Sequence, residues 1–170
     1  HHFADQIIDY LNANNNFGID IRISDERDML LETGGGLKKA APLFDSSSPV
    51  FIHNGDILSN LDFNKFYGAD RKVVCPSCGV PHEMAGATLL VSWRKTKRYL
   101  IFNRQQRLVG WVNIEMRQIK SCYEEVRALE PEIQEGDVID ILHRHHLSAF
   151  AFSGIHTFSP KLFPLMKDYP

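Results

Sequence analysis

No stretch of the chain approaches the roughly 18 apolar residues that a membrane-spanning helix needs. The N-terminal region also lacks a charged-then-apolar signal pattern. No membrane partner is expected, and the expected compartment is the cytoplasm. Cysteine is scarce: three in 170 residues, an odd number that argues against a disulfide framework and suits a reducing environment. Charge of one sign is missing too. The 19 Lys and Arg stand against 21 Asp and Glu, a formal net charge of -2, which leaves no global electrostatic footprint for DNA or RNA. Nucleic acid is therefore not an expected partner. Arg94, Lys95, Lys97 and Arg98 do cluster, and such short basic runs are more often a solvated strand or turn than a binding site. Internal repeats and low-complexity tracts are absent.

What is present suffices for one ordinary core. A content of 44% hydrophobic and 11% aromatic residues excludes disorder and predicts a single domain over residues 1–170. Apolar residues at 4, 7, 8 and 11 follow the helical spacing and predict an amphipathic helix that ends in a turn at 12–18. Residues Ile19–Ser24 alternate with period two, as a strand does. Leu37–Leu43 reads as a short helix whose last turn Pro42 interrupts. Val50–His53 is a short apolar run of the kind buried in a sheet, and Asp62 is a candidate cap for a helix reaching about Gly68. This rhythm of helix, strand, helix, strand and helix predicts βαβ units and a mostly parallel sheet.

The second half changes character. Residues 87–92, 99–102 and 108–112 read as closely spaced strands, with a turn at 103–106, and such strands pair antiparallel. Residues 149–158 form a further strand, followed by Ser159 and Pro160 as cap and first residue of a last helix. The expected sheet is thus mixed, mostly parallel and flanked by helices. Residues 71–86, which hold Cys75, Cys78 and His82, and the charged, histidine-rich 122–147 stand outside the scheme as insertions. Cys75, Cys78, His82 and distant Cys122 have the ligand chemistry of a zinc site but only half of a zinc-ribbon pattern. The alternative is a surface turn with ordinary cysteines.

Two polar segments carry the chemistry. Three consecutive glycines at 34–36, between Thr33 and the start of a helix, strip side chains from one turn of backbone and let a flat ligand approach its amides. Asn54-Gly55-Asp56 follows the apolar run 50–53, so Asp56 stands at the end of a strand, where open α/β sheets bind ligands. Each segment also has a plain structural reading, as a flexible connection and as a turn.

Leu30-Leu31-Glu32-Thr33-Gly34-Gly35-Gly36-Leu37-Lys38, then Phe51-Ile52-His53-Asn54-Gly55-Asp56, then Phe152-Ser153-Gly154-Ile155-His156-Thr157-Phe158-Ser159-Pro160 resemble, in order and spacing, the sugar-1-phosphate nucleotidyltransferases. The set is similar to mannose-1-phosphate guanylyltransferases and N-acetylmuramate-1-phosphate uridylyltransferases. The resemblance implies a Rossmann-like fold of the GT-A type. It also implies joining of an NTP, GTP or UTP, to a sugar 1-phosphate with release of pyrophosphate. Thr33, Gly34 and Gly35 match the segment that lies against the nucleobase. Asp56 matches the acidic residue that holds Mg²⁺ at the triphosphate, with Asn54 and Gly55 shaping its turn. Ser153 and Gly154 match the segment at the sugar, and Glu115 falls near a Glu-Lys pair whose lysine has no match here. The first strand and phosphate loop of the family, and its second metal-binding aspartate, have no counterpart in the match. A piece without them is expected to be a poor catalyst by itself. The alternative is a module that binds a nucleotide or nucleotide-sugar without catalysis.

Overall fold

The computed structural model describes residues 3–45, 48–68, 72–74, 81–83 and 86–166. By its internal contacts the chain divides into two compact units. The first comprises His1–Phe51, Phe63–Ala87 and Thr157–Pro170; the second comprises Ile52–Asp62 and Thr88–His156.

In the first unit, helix α1 (Ala4–Ala13) forms where the apolar spacing places it. It stops at a turn in which Asn15, Asn16, Phe17 and Gly18 all take left-handed φ, between 50° and 70°. Residues 19–31 contain no helix or strand. Side chains hold them instead. Arg27 donates to Asp25 and to Asp5 of α1, Arg22 donates to the Leu43 carbonyl at 3.1 Å, and the Lys39 ammonium donates to the Asp25 carbonyl. The Arg27 guanidinium, bonded to the Asp25 side chain, holds that carboxyl below its usual range. Helix α2 (Glu32–Lys39) follows, then a 3-10 turn at Ala41–Leu43 that contains Pro42. Strand β1 (Val50–His53) begins in this unit, and helix α3 (Phe63–Tyr67) sets Phe63 and Phe66 edge-on against Phe51, with centroids 5.3 and 6.2 Å away. Strands β2 (Lys72–Val74) and β3 (Pro81–Glu83) pair antiparallel as a separate ribbon.

The second unit holds the core. Strands β4 (Ala87–Ser92), β5 (Arg98–Phe102), β6 (Leu108–Asn113), β7 (Gln118–Lys120) and β8 (Ser148–Phe158) join β1 in a six-stranded antiparallel sheet, ordered β1-β8-β5-β6-β7, with β4 also paired to β8. Short connections explain the order. Asn103 accepts the amides of Gln105 and Arg107 through its side-chain oxygen and closes the β5–β6 hairpin. The Asn113 side chain does the same for Glu115 and Met116 between β6 and β7. Helices α4 (Glu124–Arg127), α5 (Glu130–Glu135) and α6 (Val138–Arg144) cover this end of the sheet. α6 buries Val138, Ile141 and Leu142, the i, i+3, i+4 stripe that a helix presents to a core. They pack with Ile101, Val112, Ile119 and Ile133 in one apolar cluster. Arg117, at φ 49°, lies in the β6–β7 turn and donates to the carbonyls of Ile133, Gln134 and Gly136, satisfying the otherwise open end of α5.

The expected Rossmann-like GT-A fold with a mostly parallel sheet is corrected by this topology. A parallel pair needs two strands joined by a crossover helix. Before residue 72 the described chain has one strand, β1. Ile19–Ser24 forms none, because Ile19 and Ile23 are 64% and 50% exposed and the alternation has no buried face to fill. Two smaller differences follow. The glycine triplet lies inside α2 instead of in a loop ahead of a helix, and residues 122–147 supply three helices of the second unit's core. Cys75 and Cys78 lie outside the described residues.

Candidate functional site

The turn after β1 belongs to the second unit together with most of β8, and the two meet at atomic contact. The Asn54 amide donates to the Gly154 carbonyl at 3.0 Å, and the Ile57 amide donates back to the Asn54 carbonyl at 3.2 Å. Gly154 is buried and has φ +75°. A β-carbon there would fall 3.1 Å from Asn54 Nδ2 and 3.1 Å from Ile57 Cγ1. Glycine is required twice over, for its backbone conformation and for the approach of the Asn54 side chain. Beside it, the Ser153 hydroxyl lies 3.5 Å from the Ser92 hydroxyl at the end of β4.

Asn54 and Gly154 thus come together from segments far apart in the chain. Gly55 and Asp56 continue the turn, and all three turn residues are exposed. The Asp56 carboxylate has neither hydrogen bond nor ion pair to any described residue, so its oxygens face solvent. It is a hard oxygen donor at a surface turn, which suits Mg²⁺, an ion commonly bound through one or two carboxylates and substrate phosphates. Among the described residues no group of three or more His, Cys, Asp or Glu side chains is placed to hold a metal by itself.

Glu115 lies in the β6–β7 turn and pairs with Lys97 at 2.7 Å. The two side chains are 71% and 56% exposed for Lys97 and Glu115, and such a pair contributes about 0–1 kcal/mol. That is too little to make it a stabilising device. It does supply a lysine partner for Glu115, one that could not be read from neighbouring sequence. Thr33, Gly34 and Gly35 lie in α2 of the first unit. Gly35 is buried, a β-carbon at Gly34 would meet open space, and one at Gly36 would meet the Glu26 carboxylate.

Sequence reasoning assigns His156 no chemical role. It is 8% exposed on β8, its ring meets Phe152 in a T-shaped contact at 5.5 Å, and its Nδ1 has no hydrogen-bond partner among the described residues. Burial disfavours the charged imidazolium and lowers its pKa from 6.5. The signal was available in its place on an apolar strand. His145, which ends α6, bonds to Glu132 of α5 at 3.0 Å, and Cys122, one of the residues with zinc-ligand chemistry, is exposed and free. No family model matches the chain, and no solved structure matches it.

Proposed function

We propose that this chain contributes to a nucleotidyltransferase that joins an NTP, GTP or UTP, to a sugar 1-phosphate. One observation carries the reading. The Asn54-Gly55-Asp56 and Ser153-Gly154 segments, which the resemblance assigns to one active site, meet through the Asn54 side chain and the bare backbone of Gly154. In this reading the exposed Asp56 carboxylate holds Mg²⁺, which supplies charge neutralisation at the phosphates when bound. Ser153 and its neighbour Ser92 offer hydroxyls to the sugar, and Glu115 with Lys97 offers an exposed acceptor and cation that can exchange partners at little cost.

The chemistry asks for positioning more than for proton transfer. An oxygen of the sugar phosphate, already ionised at neutral pH, forms the new bond to the α-phosphorus. The bond from that phosphorus to the bridging oxygen breaks, and pyrophosphate leaves with the electron pair. No side chain has to act as a base.

The test is pyrophosphate release by the full gene product, measured with Mg²⁺ across a panel of NTPs and sugar 1-phosphates. We expect one pairing to be turned over and Asp56→Ala to lower its rate about a hundredfold or more while the thermal transition stays in place. Undiminished activity in that variant removes Asp56 from the site. Saturable nucleotide-sugar binding without pyrophosphate release from any pairing would make the chain a binding module instead.

A further inference from the structure

We propose that the second unit also binds a small phosphate monoester carried on a ring, in a cleft that the nucleotidyltransferase reading does not use. The cleft has a volume of about 190 Å³ and is lined by Trp93, Arg94, Lys95 and Tyr99 from β5 and the turn before it, and by Ile139 and His143 from α6. None of these residues belongs to the segments that carry the resemblance.

The lining selects an anion. The Arg94 guanidinium donates one N–H to the Phe152 carbonyl at 3.0 Å, which leaves its other four N–H groups for a ligand. Neither Arg94 nor Lys95 pairs with a carboxylate among the described residues, and no acidic side chain lines the cleft. The Tyr99 oxygen accepts the Thr96 amide at 3.1 Å, so its own proton remains to be donated. Two cations beside further donors match a phosphate, which Arg can grip with two parallel bonds.

The lining also selects a ring. Trp93 rests tilted on Phe150 with ring centroids 4.3 Å apart, yet it is 75% exposed. An indole fixed on one side and open on the other is a platform for the C–H face of a sugar or for a base. Ile139 adds apolar surface to the lining. Because the contacts of Trp93, Arg94 and Thr96 already pin the turn, little order remains to be created on binding. The size excludes large ligands. Sites for drug-sized molecules begin near 300 Å³, so this cleft suits one ring and one phosphate better than a nucleoside triphosphate. A sugar phosphate meets that description with its single ring; a nucleoside monophosphate shares the phosphate and a flat face but adds a second ring, its ribose.

The protein reports its own binding, since it has two tryptophans. Trp111, with the Lys120 ammonium 5.5 Å from its ring centroid, does not line the cleft and serves as the internal reference. Titrations use glucose 1-phosphate, uridine monophosphate, inorganic phosphate and glucose, read by tryptophan emission and by calorimetry. We expect saturable quenching by at least one ring-bearing phosphate, with glucose inert and inorganic phosphate about tenfold weaker. Trp93→Phe should abolish the emission change. Arg94→Ala should weaken binding about tenfold, as should the exposed-site variant Lys95→Glu, each checked by thermal melting. The tighter of glucose 1-phosphate and uridine monophosphate identifies the ring. Asp56→Ala should bind as the parent does, which separates this cleft from the nucleotidyltransferase reading and lets either fail alone. Absence of saturable binding by any of the esters up to about 10 mM, parent-like affinity in both Arg94→Ala and Lys95→Glu, or loss of binding in Asp56→Ala would each overturn the proposal.

Discussion

Gly154 shows how one missing side chain joins two distant segments. Its φ of +75° favours glycine, and the space that a methyl group would need holds the Asn54 amide and Ile57. Gly154→Ala should therefore destabilise the fold by about 1–3 kcal/mol, seen as a lower denaturant midpoint with an unchanged slope. It should also displace the Asp56 turn, whose first amide bonds to the Gly154 carbonyl. His156 makes a different contribution at the same scale. Burial lowers its folded pKa from 6.5, so above that value the imidazole is neutral in both states and stability is unaffected. As pH falls below it, the unfolded chain takes up a proton that the native state resists, and stability drops until the folded pKa is reached. Melting temperature should fall as pH drops below about 6.5, and His156→Phe should remove part of that slope. An unchanged slope would show that other groups set the acid response.

Among the elements, α6 has the clearest local instructions. Asp137 accepts the amides of Ile139 and Asp140 at 2.9 and 3.0 Å and opens the helix as an N-cap. Its buried stripe, Val138, Ile141 and Leu142, then faces the sheet. Asp137→Ala should cost about 0.5–2 kcal/mol in chemical denaturation, and Asp137→Asn should recover most of it. These signals were legible in the sequence, yet the histidines that follow them gave the region the look of a solvated insertion. Strands β4, β5 and β6 were legible for the opposite reason: each is apolar and short, and the Asn103 side chain closes the β5–β6 turn; β7, with Ile119 as its one apolar residue, gave no such signal. Ile19–Ser24 misled because alternation describes any extended chain, and only a partner strand with a face to cover makes it a β-strand. The glycine triplet misled in a similar way. Glycine lowers helix propensity by about 1 kcal/mol per residue, and here it is outweighed in α2, where Gly35 is buried and Gly36 leaves room for Glu26.

At the scale of the molecule, neither the pairing of Asn54 with Gly154 nor the direction of the sheet was legible in the chain. Local periodicity carries no information about which strand lies beside which, and the parallel expectation came from a rhythm of elements that one unpaired segment breaks. β8 shows what that arrangement entails. It is the shared neighbour of β1, β4 and β5, all of which precede it in the chain. During synthesis these three emerge from the ribosome while the strand that unites them is still being translated. Until then β1 and β4 expose unmet amides and carbonyls, a template for any passing extended peptide. Completion of the sheet must wait for a contact of long sequence separation, which makes it slow. The nascent chain is therefore most vulnerable to misassembly just before Ser148–Phe158 appears, and that interval is when a chaperone would matter most to its yield.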